Sequence, residues 1–105
     1  MVKQFEIYWI DLNPTKGSEI SKKRPCVVIS PKEMNDNLNT LIIAPLTSTI
    51  RNYPTRVTVV VKKKKGQVAL DQIRSIDKSR LSNKITVLNQ KSIESIKAIL
   101  IKMFK

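Results

Sequence analysis

The residues best equipped for chemistry begin in the stretch K-K-R-P-C-V-V-I, residues 22–29, where Arg24 stands between two lysines and a proline at the mouth of an apolar run. Such a guanidinium is either part of a solvated charge cluster or a phosphate-facing group held rigid by the strand behind it. Its planar fork can hold two phosphate oxygens at once, and it stays charged. Pro25 fixes its own φ and biases Arg24 toward an extended backbone. Thr47, in A-P-L-T-S, offers a hydroxyl at a strand end, either to a phosphate or to cap its own loop. Glu19, in G-S-E, is the nearest carboxylate that could act as a base, or else it pairs with Lys22 or Lys23. Asp71 and Arg74, in D-Q-I-R, either contact a nucleic acid or pair with each other and order their loop.

The composition excludes several chemistries. With no histidine, acid–base work must proceed without imidazole. One cysteine, Cys26, rules out an internal disulfide framework and, without histidine, argues against a zinc site. Cys26 reads as a small buried apolar residue. Gly17 and Gly66 are the only glycines, so neither a Walker loop nor a dinucleotide fingerprint can be built. Neither a metal nor an organic cofactor is expected.

Twenty Lys and Arg against eight Asp and Glu give a net charge of +12. A chain this basic is drawn to polyanions through phosphate neutralisation and counterion release. Nucleic acid is the first partner to consider, then an anionic membrane surface or an acidic protein; general lysine abundance is the plain alternative. No apolar run approaches the roughly 18–20 residues that span a bilayer. The N-terminal M-V-K-Q-F-E-I-Y-W-I-D-L carries charges within its apolar part, unlike a signal peptide. A lone cysteine suits a reducing, cytoplasmic setting. The length of 105 residues is that of one domain, residues 1–105.

The elements that must position these groups are mostly strands. Residues 5–12, 26–30, 40–46, 55–61 and 67–70 are apolar or alternating and bounded by turn signals; 71–77 continues or leaves the last of these. Residues 31–39 read as a loop or one short helix, and 84–88 as a final short strand or extended link. K-K-K-K-G, residues 62–66, reads as a charged turn, solvated or lying along a groove. From Ser92, placed to cap, Ile93, Ile96, Ile99, Leu100 and Met103 follow helical spacing. The expected fold is mainly β (α+β): a small, curled, mostly antiparallel SH3-like barrel with a C-terminal amphipathic helix. Such folds host many functions.

Four segments, N-P-T-K-G-S-E (13–19), K-R-P-C-V-V-I-S (23–30), A-P-L-T-S (44–48) and G-Q-V-A-L-D-Q-I-R-S-I-D-K-S-R-L (66–81), carry a family resemblance. In order and spacing, the chain resembles the MazF/PemK/Kid toxins of bacterial type II toxin–antitoxin systems over nearly its whole length. The resemblance implies a CcdB/PemK-like barrel that acts as a homodimer and cuts single-stranded RNA, including mRNA, at short motifs without a metal ion. It implies 2′-hydroxyl attack that leaves a 2′,3′-cyclic phosphate and a 5′-hydroxyl. It also implies a cognate antitoxin that wraps the toxin and blocks its RNA groove. The arginine and threonine of the MazF branch fall on Arg24 and Thr47, and its glutamate on Glu19. The histidine and arginine of the Kid branch fall on Ser18 and Ala69, which cannot do that work, while its acidic residue matches Asp71. The family usually has glycine where this chain has Phe5.

Transesterification at phosphorus needs a base for the 2′-hydroxyl, charge stabilisation for a phosphorane-like transition state and a proton for the leaving oxygen. Arg24 is assigned the stabilisation, because a guanidinium with a pKa above about 12 is a poor base. Thr47 orients the phosphate, and Glu19 and Asp71 complete the catalytic set. Lys16, Lys22, Lys23, Ser48, Arg51, Tyr53, Arg56, Gln72 and Arg74 are the expected RNA contacts. Tyr53 is the favoured residue for stacking or for a partner interface, whereas Phe5, Tyr8 and Trp9 could stack bases but, lying in a β-run, read as core. Two other readings compete: a non-enzymatic, CcdB-like gyrase-inhibiting toxin, or a plain nucleic-acid-binding barrel. The C-terminal K-M-F-K lacks the aromatic–glycine–isoleucine tail of CcdB-like proteins.

Overall fold

Period-two patterning builds the sheet. Side chains alternate between the two faces of a strand, and in the central strands Lys23–Val28 and Thr40–Thr47 each face contributes to a core. Ile7, Val27, Ala44, Leu46, Val57, Val59 and Val68 form one core with Phe5, Leu70, Leu88 and Ile96. Ile10, Cys26, Val28, Leu41, Ile43 and Ile76 form a second with Leu12. In the computed structural model, which describes residues 1–105, the strands are β1 (Glu6–Asp11), β2 (Lys23–Val28), β3 (Thr40–Thr47), β4 (Arg56–Val61), β5 (Lys64–Ala69), β6 (Arg74–Asp77) and β7 (Leu81–Val87). Helix α1 (Lys32–Asn37) precedes β3, and α2 (Gln90–Phe104) follows β7.

The sheet is antiparallel and ordered β4-β5-β3-β2-β1-β7, with β6 also on β3. β3 therefore serves three neighbours. Its first residues pair with β6, Ile43–Pro45 pair with β2, and Leu46 and Thr47 leave β2 to pair with Val68 and Gln67 of β5. That switch curls the sheet into the half-barrel expected from the sequence. Register shifts between β1 and β7 add to the bend. α2 closes the first core, with Ile96 fully buried and Ile93, Ile99, Leu100 and Met103 packed beside it.

Four boundaries differ from the sequence reading, one being β7, which starts at Leu81 rather than Lys84. β2 starts at Lys23, because Asp11 and Ile10 of β1 pair with Lys23 and Arg24. Arg24 thus sits inside a strand rather than in front of one. The charged turn shrinks to Lys62–Lys63, since Lys64 and Lys65 pair with Val61 and Val60. The helix begins before Ser92: Asn89 is the cap, its side chain accepting the Ser92 N–H at 2.9 Å.

Phe5 adopts φ +68°, a conformation that favours glycine. Its N–H donates to the Val28 carbonyl at 2.7 Å and its carbonyl accepts from Leu88 N–H at 3.1 Å, so the backbone is pinned at both ends. The departure from the family's glycine is accommodated because the phenyl ring is buried in the first core.

Candidate phosphate-binding site

The site forms where β3 leaves β2. β2 and β3 pair as far as Cys26↔Pro45, and just beyond that point Arg24 and Thr47 line one cavity. Here the strands part, and the Arg24 guanidinium fills the gap. Nη1 donates to the Leu46 carbonyl at 3.3 Å, and Nε donates to the Ser21 carbonyl at 2.8 Å. These bonds fix the fork on a rigid element, as electrostatic stabilisation requires. Thr47 is buried; its Oγ1 accepts the Thr49 N–H at 3.1 Å, which caps the loop and leaves its O–H free to donate. Gly66 lets β5 approach at this point, because an added Cβ would lie 3.1 Å from the Thr47 carbonyl oxygen.

Two cavities flank the pair. Arg24, Thr47 and Ser48 line the first, of about 490 Å³, with Trp9 and the β4–β5 hairpin lysines. Ser18, Glu19, Asp71, Gln72 and Arg74 line the second, of about 370 Å³. Leu46 belongs to the first and its neighbour Pro45 to the second, so the two cavities adjoin along β3. Arg24 and Arg74 also share the neighbourhood of Cys26. Burial pushes the Cys26 thiol up to about 12, against the pull of both guanidiniums.

The sequence-predicted residues divide accordingly. Glu19 sits in the second cavity and Arg24 borders the first. Glu19 makes no ion pair with Lys22 or Lys23; its Oε1 accepts the Lys16 N–H at 2.5 Å, leaving its other oxygen open. Asp71 and Arg74 do not pair with each other. Asp71 takes two hydrogen bonds from Arg56, at 2.8 and 3.2 Å, and a third from the Thr55 hydroxyl at 3.0 Å. The Arg56 bond holds the Asp71 carboxyl below its usual range and the Arg56 guanidinium above its own. The Arg56 guanidinium also lies over Tyr53, 5.1 Å from the ring centroid, so the favoured stacking residue already carries a cation on one face.

Arg74 and Gln72 hold the loop between β1 and β2. Arg74 donates to the Leu12 carbonyl at 2.9 Å. Gln72 accepts from Ile20 N–H at 2.9 Å and donates to the Ser18 carbonyl at 3.2 Å. Lys16, Lys22 and Lys23 project from this loop and its junction with β2, exposed and without a carboxylate partner. Arg51 is exposed in the loop after β3, its backbone clasped by buried Gln67 through two 3.0 Å bonds.

Sequence reasoning missed three groups. Gln67 ties the loop after β3 to the strand that pairs with Thr47; a polar residue inside Q-V-A-L was its only signal. Arg80 braces the β1–β2 loop through the Asp11 and Asn13 carbonyls, and nothing local announces it. Trp9, read as core, is 41% exposed and walls the first cavity.

The curled half-barrel fixes a guanidinium fork on the same cavity as a hydroxyl, between cationic loops. Comparison with known proteins is specific. The model for the PemK-like, MazF-like toxins of type II toxin–antitoxin systems matches residues 3–104. Endoribonuclease MazF of Staphylococcus saprophyticus is 34% identical over 102 residues, 91% of this chain and 85% of that protein. The crystal structure of MazF (Form-I) from Deinococcus radiodurans superposes with TM-score 0.86 at 25% identity, covering 98% of this chain and 96% of that one. A mycobacterial endoribonuclease in complex with its cognate antitoxin shares the fold, with TM-score 0.84 at 20% identity over 99% and 95% of the two chains. The chain belongs to the PemK-like, MazF-like toxin family.

Proposed function

We propose that the protein is the toxin of a type II toxin–antitoxin pair, a sequence-specific endoribonuclease acting on single-stranded RNA, including mRNA, in the cytoplasm. The observation that carries this reading is the fixed Arg24 fork sharing a cavity with the Thr47 hydroxyl. Arg24 stabilises the charge that builds on the phosphate as the 2′-oxygen–phosphorus bond forms and the bond to the 5′-oxygen breaks. Thr47 donates to a non-bridging oxygen. Glu19, with one oxygen open in the neighbouring cavity, is the carboxylate assigned to receive the 2′-hydroxyl proton. The 5′-oxygen takes up a proton and departs, leaving a 2′,3′-cyclic phosphate. Asp71, locked by Arg56 and held as a carboxylate, acts as a positioning group. No helix is long and apolar enough to cross a membrane.

The relatives named MazF support the reading, and the antitoxin complex in the same fold supports a cognate antitoxin as partner. The protein acts as a homodimer. The test is a long defined RNA incubated with the protein in excess EDTA, its ends mapped by primer extension. Cuts at one short recurring motif with 5′-hydroxyl ends, abolished in Arg24→Ala, are expected. Cleavage retained by Arg24→Ala sinks the mechanism. Salt-dependent binding without cleavage makes the protein a binding module.

A further inference from the structure

Two features near Arg24 are unused by the reaction just described. The β4–β5 hairpin turns on Lys62 and Lys63, with φ of +51° and +68°. A two-residue turn of this kind favours Asn-Gly, because both positions need positive φ. Lysine at both is a strained choice, yet it carries the run Lys62–Lys65 to the rim of the first cavity, where Lys62, Lys64 and Lys65 contribute to its lining. No carboxylate lines that cavity, and none of these lysines takes part in an ion pair. The opposite character lies alongside: exposed Trp9, with Val61 and Ile85, gives the cavity a flat apolar wall. A cationic rim beside an exposed indole, next to a phosphate-binding arginine, has the chemistry of one nucleotide. The volume of about 490 Å³ is within the range of small-ligand sites.

We propose that this cavity is a subsite for the nucleotide flanking the cleaved bond: its base stacks on Trp9, and its phosphates are held by Lys62, Lys64 and Lys65. The proposal rests on the ribonuclease reading for its substrate, but its test does not depend on cleavage. Trp9 is the only tryptophan, so intrinsic emission reports this wall alone. The probes are a random-sequence, fully 2′-O-methylated RNA oligomer, which lacks the nucleophile, and an abasic oligomer of equal length. The RNA oligomer is expected to quench Trp9 and shield it from iodide, while the abasic oligomer binds without quenching. Trp9→Ala, at an exposed position, should weaken RNA binding about tenfold and leave abasic binding unchanged. Lys64→Gln with Lys65→Gln should lower the slope of log affinity against log salt by about 1.4.

Four results overturn the proposal: RNA binding detected by anisotropy with Trp9 emission unchanged; equal quenching by the abasic oligomer; emission that follows protein concentration and ignores RNA, which means a second copy covers the wall; or no binding at all. Cleavage of unmodified RNA, measured in parallel, keeps the two readings separate. Cleavage with a silent Trp9 removes the subsite alone, and quenching without cleavage removes the ribonuclease alone.

Discussion

Arg24 Nη1 donates to the carbonyl oxygen of Leu46, one residue before Thr47, at the point where β3 exchanges β2 for β5. The arginine therefore closes a seam in the sheet and presents its fork from the same position. Arg24→Lys keeps a charge but loses the fork, so it should not rescue activity. We expect both Arg24→Lys and Arg24→Ala to lower kcat by at least about a hundredfold, with less effect on KM. Circular dichroism checks that the seam stays closed.

The Arg56–Asp71 pair joins β4 to the short turn after β5, with the Arg56 side chain only 8% exposed and that of Asp71 32% exposed. A double-mutant cycle through Arg56→Met and Asp71→Asn should give a coupling of about 1 kcal/mol in denaturant unfolding. If Asp71 only positions, Asp71→Asn retains most of kcat. A loss as deep as that of Arg24→Ala would instead make Asp71 a catalytic group.

Glu6 sets an acid limit on stability. Burial opposes its charge, but the bonds from Lys84, the Lys3 N–H and the Tyr8 hydroxyl outweigh it and hold the carboxyl below its usual range. Lys84 lies 2.6 Å away. A depressed folded pKa contributes stability that is complete above the unfolded value, about 4.3. That contribution is lost as pH falls through the folded value. Tm should thus hold from neutrality to about pH 5 and drop below about pH 4. Glu6→Gln should cost about 2 kcal/mol at pH 7 and flatten the acid limb. An unchanged limb would remove Glu6 from the account.

Phe5→Gly exchanges two effects. Releasing a non-glycine residue from positive φ returns about 1 kcal/mol. Emptying a core site of a phenyl ring costs about 3–5 kcal/mol. Equilibrium unfolding should therefore show a net loss of about 2–4 kcal/mol. A neutral or stabilised variant would mean that backbone strain, and not ring burial, dominates here.

Much of the fold was legible because the strands are apolar or alternating and turn signals punctuate them. The β2 boundary was not, since Lys23 and Arg24 are extended only through pairing with Asp11 and Ile10. Trp9 was misread for a related reason: a β-run shows which residues alternate, not where the sheet stops being covered. The site was half legible. The segments left Arg24 and Thr47 open between a functional and a plain reading, and the family resemblance singled them out; the fold places both on one cavity. The partners of Asp71 and Gln72 lie 15 to 54 residues away, so only the closed topology could reveal them.

Cys26, fully buried in the second core, also makes the chain its own clock. A thiol reagent in folded protein must wait for the central strands to separate. The labelling rate then counts openings of the sheet that holds the Arg24 fork. A bound RNA or antitoxin that slows labelling would be stiffening that sheet around Cys26, without any engineered probe.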